Sequence, residues 1–149
     1  MKNLLILLAF ILFSAHAFSS VVETCRNSQF LSGTDDLPHW EPINFSIVVN
    51  KTNTRYSAVI MVDGKEMPTE KQIEVTDFVT GNELARLKYI LNMAKIPAGR
   101  TATMATIYNL HPFANAEDSN GVTLNVLYDS RGFIVGKVFS LGWGIGICK

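Results

Sequence analysis

The chain has 149 residues, and its 13 basic and 13 acidic side chains give a formal net charge of zero. Apolar residues make up 48% of it, enough to fill a real core in about one domain. The charges are scattered with no basic stripe, which argues against nucleic acid or an anionic membrane surface as a partner.

The N-terminus reads first. Lys2 supplies a positive n-region, and Leu4 to Phe13 is an unbroken apolar run. Ser14-Ala15-His16-Ala17 then offers a small-x-small cleavage pattern. A run this short is not a permanent membrane helix. The pattern predicts a signal peptide over residues 1–17 and a globular domain over residues 18–149, exported to the periplasm or beyond. An uncleaved anchor is the competing reading. No later stretch is long and apolar enough to span a bilayer, so no membrane insertion is expected once the signal is removed.

Residues 18 to 42 are polar and irregular. "SGTDDLPHWEP" combines Gly, paired Asp and two prolines and reads as loop. In "INFSIVVN", Ile43, Phe45, Ile47 and Val49 alternate with Asn44, Ser46, Val48 and Asn50, the period of a half-buried strand. "KTNT" turns the chain, and "RYSAVIMV" gives a second, more buried strand. Asp63-Gly64 favours a tight hairpin, because such turns need positive φ. "KQIEVTDFV" gives a third strand, with Ile73 and Val75 on one face and Glu74 and Thr76 on the other.

The period then changes. In "TGNELARLKYILNMAK", Leu84, Leu87, Leu91 and Ala94 recur at helical spacing, and Ile90 widens the stripe. Thr80 with Glu83 fits a capping box, with Asn82 as a rival N-cap. Lys95 is placed to meet the negative end of the helix dipole, and Pro97 and Gly99 stop the helix. "RTATMATIYNL" predicts a fourth strand. "HPFANAEDSNG" is a polar loop, and "VTLNVLY" is a fifth strand. After the turn "DSRG", "FIVGKVFSLGWGIGIC" reads as a sixth strand whose glycines permit it to bend or break.

Three strands, one amphipathic helix and three strands predict an α+β fold. A one-sided helix must pack on a sheet or plug a barrel. The expectation is a small antiparallel β-sheet or a partly open, OB-like barrel carrying that helix.

Export also places Cys25 and Cys148 in an oxidising compartment, where two thiols pair. A catalytic thiol would need a base and a lowered pKa, and nothing local supplies them. The two cysteines and three histidines show no zinc-site spacing. A structural disulfide between the two ends is expected, with no metal and no cofactor.

The order of elements resembles that of the receptor-binding B subunits of bacterial pentameric AB toxins. "GNELARLKYILNMAKIPAGRTATMATIY" is similar to their helix-then-strand passage, and "GFIVGKVFSLGWGIGIC" is similar to their closing strand before a cysteine. The resemblance covers residues 43 to 148 in pattern. It departs in the cysteines, which here join the ends, whereas those subunits close shorter loops. It implies an OB-like fold, a binding module and the option of a homo-oligomer. It supplies no glycan-contacting residue.

Asp35 and Asp36 precede Pro38-His39-Trp40-Glu41-Pro42, so carboxylates lie close to a histidine. Such a group suits acid/base work or a metal, but adjacent loop aspartates more often cap turns or face solvent. His111 after a strand is a surface residue on the plainer reading. Trp40 and Trp143 suit sugar stacking or interface anchoring, against simple packing under loops. The candidate ligand-binding residues are therefore Trp40, Trp143, His39 and His111. Asn44 and Asn50 both begin N-glycosylation sequons on the outward parity of one strand, meaningful only in a eukaryotic secretory chain.

No nucleophile elbow, phosphate loop, zinc-protease motif or calcium loop is present. The expected function is an exported non-enzymatic protein that binds a glycan or protein surface. A small secreted or periplasmic enzyme using Asp35, Asp36, His39 or His111, and an inhibitor or immunity-type protein capping an enzyme, are the alternatives.

Overall fold

A computed structural model describes residues 18–33, 37–69, 72–97, 101–110, 121–142 and 144–149. The expected signal peptide, Asp35, Asp36, Gly99, His111 with its loop, and Trp143 lie outside the described residues.

Eleven strands and one helix are described. Before the helix come β1 (Ser20–Cys25), β2 (Gln29–Ser32), β3 (His39–Pro42), β4 (Phe45–Thr52), β5 (Arg55–Val62), β6 (Lys65–Met67) and β7 (Glu74–Val79). The helix α1 spans Gly81–Met93, and β8 (Met104–Leu110), β9 (Val122–Tyr128), β10 (Ile134–Leu141) and β11 (Gly144–Cys148) follow. All pairings are antiparallel. They build a four-stranded sheet, β1-β4-β5-β6, and a seven-stranded sheet, β3-β2-β11-β10-β9-β8-β7.

The seven-stranded sheet is the middle of three layers. Leu124, Val126, Phe139 and Cys148 join Phe45, Ile47, Val49 and Ile60 of the small sheet in one core. Their neighbours Leu127, Val138 and Ile147 point the other way and pack with Leu84, Leu87, Ile90 and Leu91 of the helix. Strand alternation thus serves two cores at once, so β9 is buried along nearly all its length.

The α+β class, the antiparallel β-rich character and, among the described residues, the single helix are as expected. Two open sheets stand where a single sheet or OB-like barrel was anticipated, and seven strands rather than three precede the helix. The extra strands come mostly from residues 18 to 42, read as irregular. β2 and β3 are only four residues long, β2 is half-buried throughout and β1 is exposed over its first half, so they carry no clean alternation. Pairing makes them strands, β1 on β4 and the β2–β3 ribbon on β11. Pro42 is tolerated because β3 is an edge.

The last expected strand is a hairpin. Leu141 pairs with Gly144, and Gly142 takes φ 60° in the turn between them. A methyl on Gly144 would overlap the Phe30 ring, so close approach by that ring, and not flexibility, requires glycine there. Asp63-Gly64 forms the expected tight turn, with φ of 49° and 76°.

Both helix ends differ from expectation. Thr80 stands at the N-cap with extended backbone but makes no side-chain cap hydrogen bond. Glu83 accepts instead from Arg86, 2.6 Å away, one turn on. Lys95 lies beyond the last turn in left-handed backbone, φ 56°. Its N–H donates to Asn92 O, and that of Ile96 donates to Leu91 O, which is a Schellman closure.

Cys25 and Cys148 form the expected disulfide across a sequence separation of 123, with Cα atoms 5.2 Å apart. It ties the edge of the small sheet to β11. Reciprocal backbone hydrogen bonds between Arg26 and Lys149 continue that join.

Candidate binding site

The residues singled out from sequence do not gather. His39 and Trp40 are neighbours on β3, so their side chains leave on opposite faces. Trp40 is half-buried and packs on the helix-side core, as do Ile96 and Ile145. His39 is exposed, and its Nε2 lies 2.7 Å from Glu41 Oε1 on the same face. That hydrogen bond, aided by one with the Leu37 backbone, holds the imidazole above its ordinary pKa. His111, Trp143, Asp35 and Asp36 are not among the described residues. Among the described residues no three His, Cys, Asp or Glu side chains converge as a metal site would require. Asn44 is exposed and Asn50 half-buried, both on the outer face of the small sheet.

A different group of residues does converge. Thr76 pairs with Ile107 and Val79 with Ala105, so Asp77 and Phe78 together oppose the single Thr106. This is a β-bulge on the edge strand β7, and bulges re-aim side chains at sheet edges. Phe78 sits in it at φ 57°, a left-handed conformation that disfavours any side chain. The residue is nonetheless 78% exposed, so burial does not compensate the strain.

Phe78 walls a recess of about 290 Å³, with Asp77, Met104, Thr106, Tyr128 and Gly132 as the other lining residues. Three consecutive strands supply the floor. Met104 pairs with Tyr128 across β8 and β9, and Thr106 points to the same face. Thr106 donates a 2.8 Å hydrogen bond to Asp77 Oδ1, which fixes the carboxylate.

Gly132 brings in the β9–β10 turn. Asp129 organises it by accepting from the backbone N–H groups of Arg131 and Phe133, at 2.9 and 3.1 Å, and from the Arg131 guanidinium at 2.9 Å. Desolvation pushes the Asp129 carboxyl up, but these donors outweigh it and hold it below its usual range. The Arg131 guanidinium also lies 5.1 Å from the centre of the exposed Phe133 ring. Ile134 is exposed next to it.

Electrostatically the recess is negative. Burial raises the Tyr128 phenol pKa, and the charges of Glu23 and Asp77 raise it further against a lowering hydrogen bond with Thr106. Deeper between the sheets, Tyr108 is pushed well above the phenol range, chiefly by burial. Both groups therefore stay neutral hydroxyls, able to donate or accept.

A larger cleft, about 490 Å³, opens where Gln29, Pro42, Ile43, Ile96, Ile147 and Lys149 meet. It flanks the disulfide, and it offers neither an aromatic wall nor a fixed carboxylate. Chemistry rather than volume favours the Phe78 recess. Sequence reasoning missed it because a bulge depends on the partner strand. The one local sign was a phenylalanine on the outward parity of Glu74 and Thr76.

Fold and site define a β-rich, three-layer α+β protein with an aromatic and acidic recess at one sheet edge. No protein-family model matches the chain, and neither a curated protein nor a solved structure matches it.

Proposed function

We propose that this is an exported, non-enzymatic binding protein, periplasmic or secreted, that recognises a glycan or protein surface through the Phe78 recess. The observation that carries the reading is Phe78 itself, a large ring held out to solvent on strained backbone. Strain of this kind clusters at ligand sites, and exposed apolar rings mark contact surfaces. Beside the ring, a fixed carboxylate and two hydroxyl-bearing side chains can accept and donate hydrogen bonds. Ring faces with a few placed polar groups serve sugars and protein side chains alike.

The signal-like residues 1–17 and the disulfide agree with an oxidising compartment. The narrower reading, a module like the toxin B subunits, rests on the pattern of residues 43 to 148. Its distinguishing property is a ring of five chains, which the mass in solution measures.

The experiment is a glycan array and a pulldown from the native compartment, run with the oxidised chain and with Phe78→Ala. Retention by the parent and loss in the variant are expected. No retention by folded protein on either platform, or retention indifferent to Phe78, overturns the reading.

A further inference from the structure

Resting on that reading, we infer that the group the recess accepts is a cationic side chain, an exposed lysine or arginine of a partner protein. Its geometry suits a cation better than any other headgroup. Phe78 and Tyr128 supply aromatic rings, whose faces attract ammonium and guanidinium groups. Asp77 supplies a full negative charge in the same lining.

That charge is free to act on a ligand. The partner of Asp77 is the neutral Thr106 hydroxyl, and it engages Oδ1. No Lys or Arg among the described residues pairs with Asp77. Two cations of the neighbouring strands and turn, both among the described residues, are already engaged. Arg131, in the adjoining turn, is held by Asp129 and stacked on Phe133. Lys137 is held by Glu23 at 3.0 Å. A guest cation would thus meet an open carboxylate and ring faces without displacing a cation of the described residues.

Burial does most to raise the Tyr128 phenol, and the smaller part that comes from the Glu23 and Asp77 charges is the part that favours a cation. Met104 adds a polarisable thioether to the wall, suited to the methylene stem of lysine or arginine. A sugar hydroxyl would also donate to this carboxylate, but it brings no charge of its own to meet it and so gains less from the recess than a cation does.

The test uses the full oxidised chain and three probes: N-acetyl-lysine methylamide, its neutral isostere N-acetyl-norleucine methylamide, and a panel of methyl glycosides. Binding is read from the backbone amide shifts of Phe78, Thr106 and Gly132. The lysine probe should bind about tenfold tighter than the norleucine probe, and Asp77→Asn should remove most of that difference. Phe78→Leu, which keeps an apolar side chain, should weaken the lysine probe about fivefold and leave the rest of the spectrum unchanged. Equal affinity for the two amides, or an unchanged preference in Asp77→Asn, overturns the inference. Shifts with a glycoside alone also overturn it, while the broader binding reading stands. Silence with every probe overturns it as well, and the Phe78-dependence of retention on the array and pulldown then judges the broader reading separately.

Discussion

Lys137 of the middle sheet reaches Glu23 of the small sheet, with Nζ 3.0 Å from Oε2, and the same ammonium donates to the Thr24 carbonyl at 2.6 Å. The side chains are 13% and 8% exposed, so both charges have left bulk water. The pair pins the edge strand β1 onto β10 beside the disulfide, since Lys137 pairs with Cys148 and Glu23 lies two residues before Cys25.

Breaking such a pair is costly because it leaves one charge buried alone. Lys137→Met should lower unfolding free energy by about 3 kcal/mol, read by urea denaturation. Adding Glu23→Gln should restore most of the loss, since no isolated charge remains. Equal losses in the single and double variants would show that the stem of Lys137, not its charge, does the holding.

The disulfide closes almost the whole described chain. On chain-entropy grounds a loop of this length contributes about 4 kcal/mol, with real values often lower. Cys148→Ser should therefore lower the melting temperature by at least about 5 °C. Cys25 is fully buried, so reductant should act on the native protein only through opening. An unchanged melting curve with both thiols titratable would remove the staple from the account.

The glycines of β11 make a sharper contrast. A methyl on Gly146 would overlap the Phe139 ring and lie 2.7 Å from the Gln29 carbonyl, both parts of packed structure. Gly146→Ala should cost about 2 kcal/mol. Nothing lies within 4 Å of a methyl on Gly121, so Gly121→Ala should stay within about 0.5 kcal/mol of the parent. Parity of the two variants in thermal denaturation would contradict the close packing of β11.

His39 gives a pH prediction with a definite sign. Its hydrogen bond with Glu41 favours the protonated ring, so the folded pKa lies above the ordinary 6.5. The stabilising contribution is fully present below 6.5 and is lost as pH rises through the folded value. A proton NMR titration should place the His39 midpoint above 6.5, and Glu41→Gln should return it towards that value. A midpoint indifferent to Glu41 would mean the contact is not kept in solution.

Legibility followed the physics. The helix stripe announced itself, and Leu84, Leu87, Ile90 and Leu91 are the residues α1 buries. β5 and β9 run over the segments read from sequence, because their apolar content is dense and their turns are marked by Asn53, Asp63-Gly64 and the Asp129 turn. β1, β2 and β3 were opaque, since they exist by pairing and mix polar with apolar residues without a clean period of two. Trp40 was legible as an aromatic but not as to its side, and strand alternation put it beneath the sheet. The recess was least legible. Neither the bulge opposite Thr106 nor the backbone of Phe78 has a local sequence signature.

Phe78 allows stability and recognition to be separated by one residue. Left-handed backbone costs a side-chain-bearing residue about 1–2 kcal/mol, and glycine avoids most of that. A ring this exposed returns little by burial, so Phe78→Gly should gain about 1 kcal/mol in urea denaturation. Phe78→Ala keeps the strained backbone and should stay close to the parent. Both variants should lose ligand retention, because the ring is what the ligand meets. A protein held together by that ring would behave in the opposite way, with both variants destabilised by the amount typical of a buried phenylalanine, about 3 kcal/mol or more. That outcome would make Phe78 a packing residue and leave the recess without its wall. Gain in stability with loss of binding would instead identify the strained conformation as one retained for what it presents to solvent.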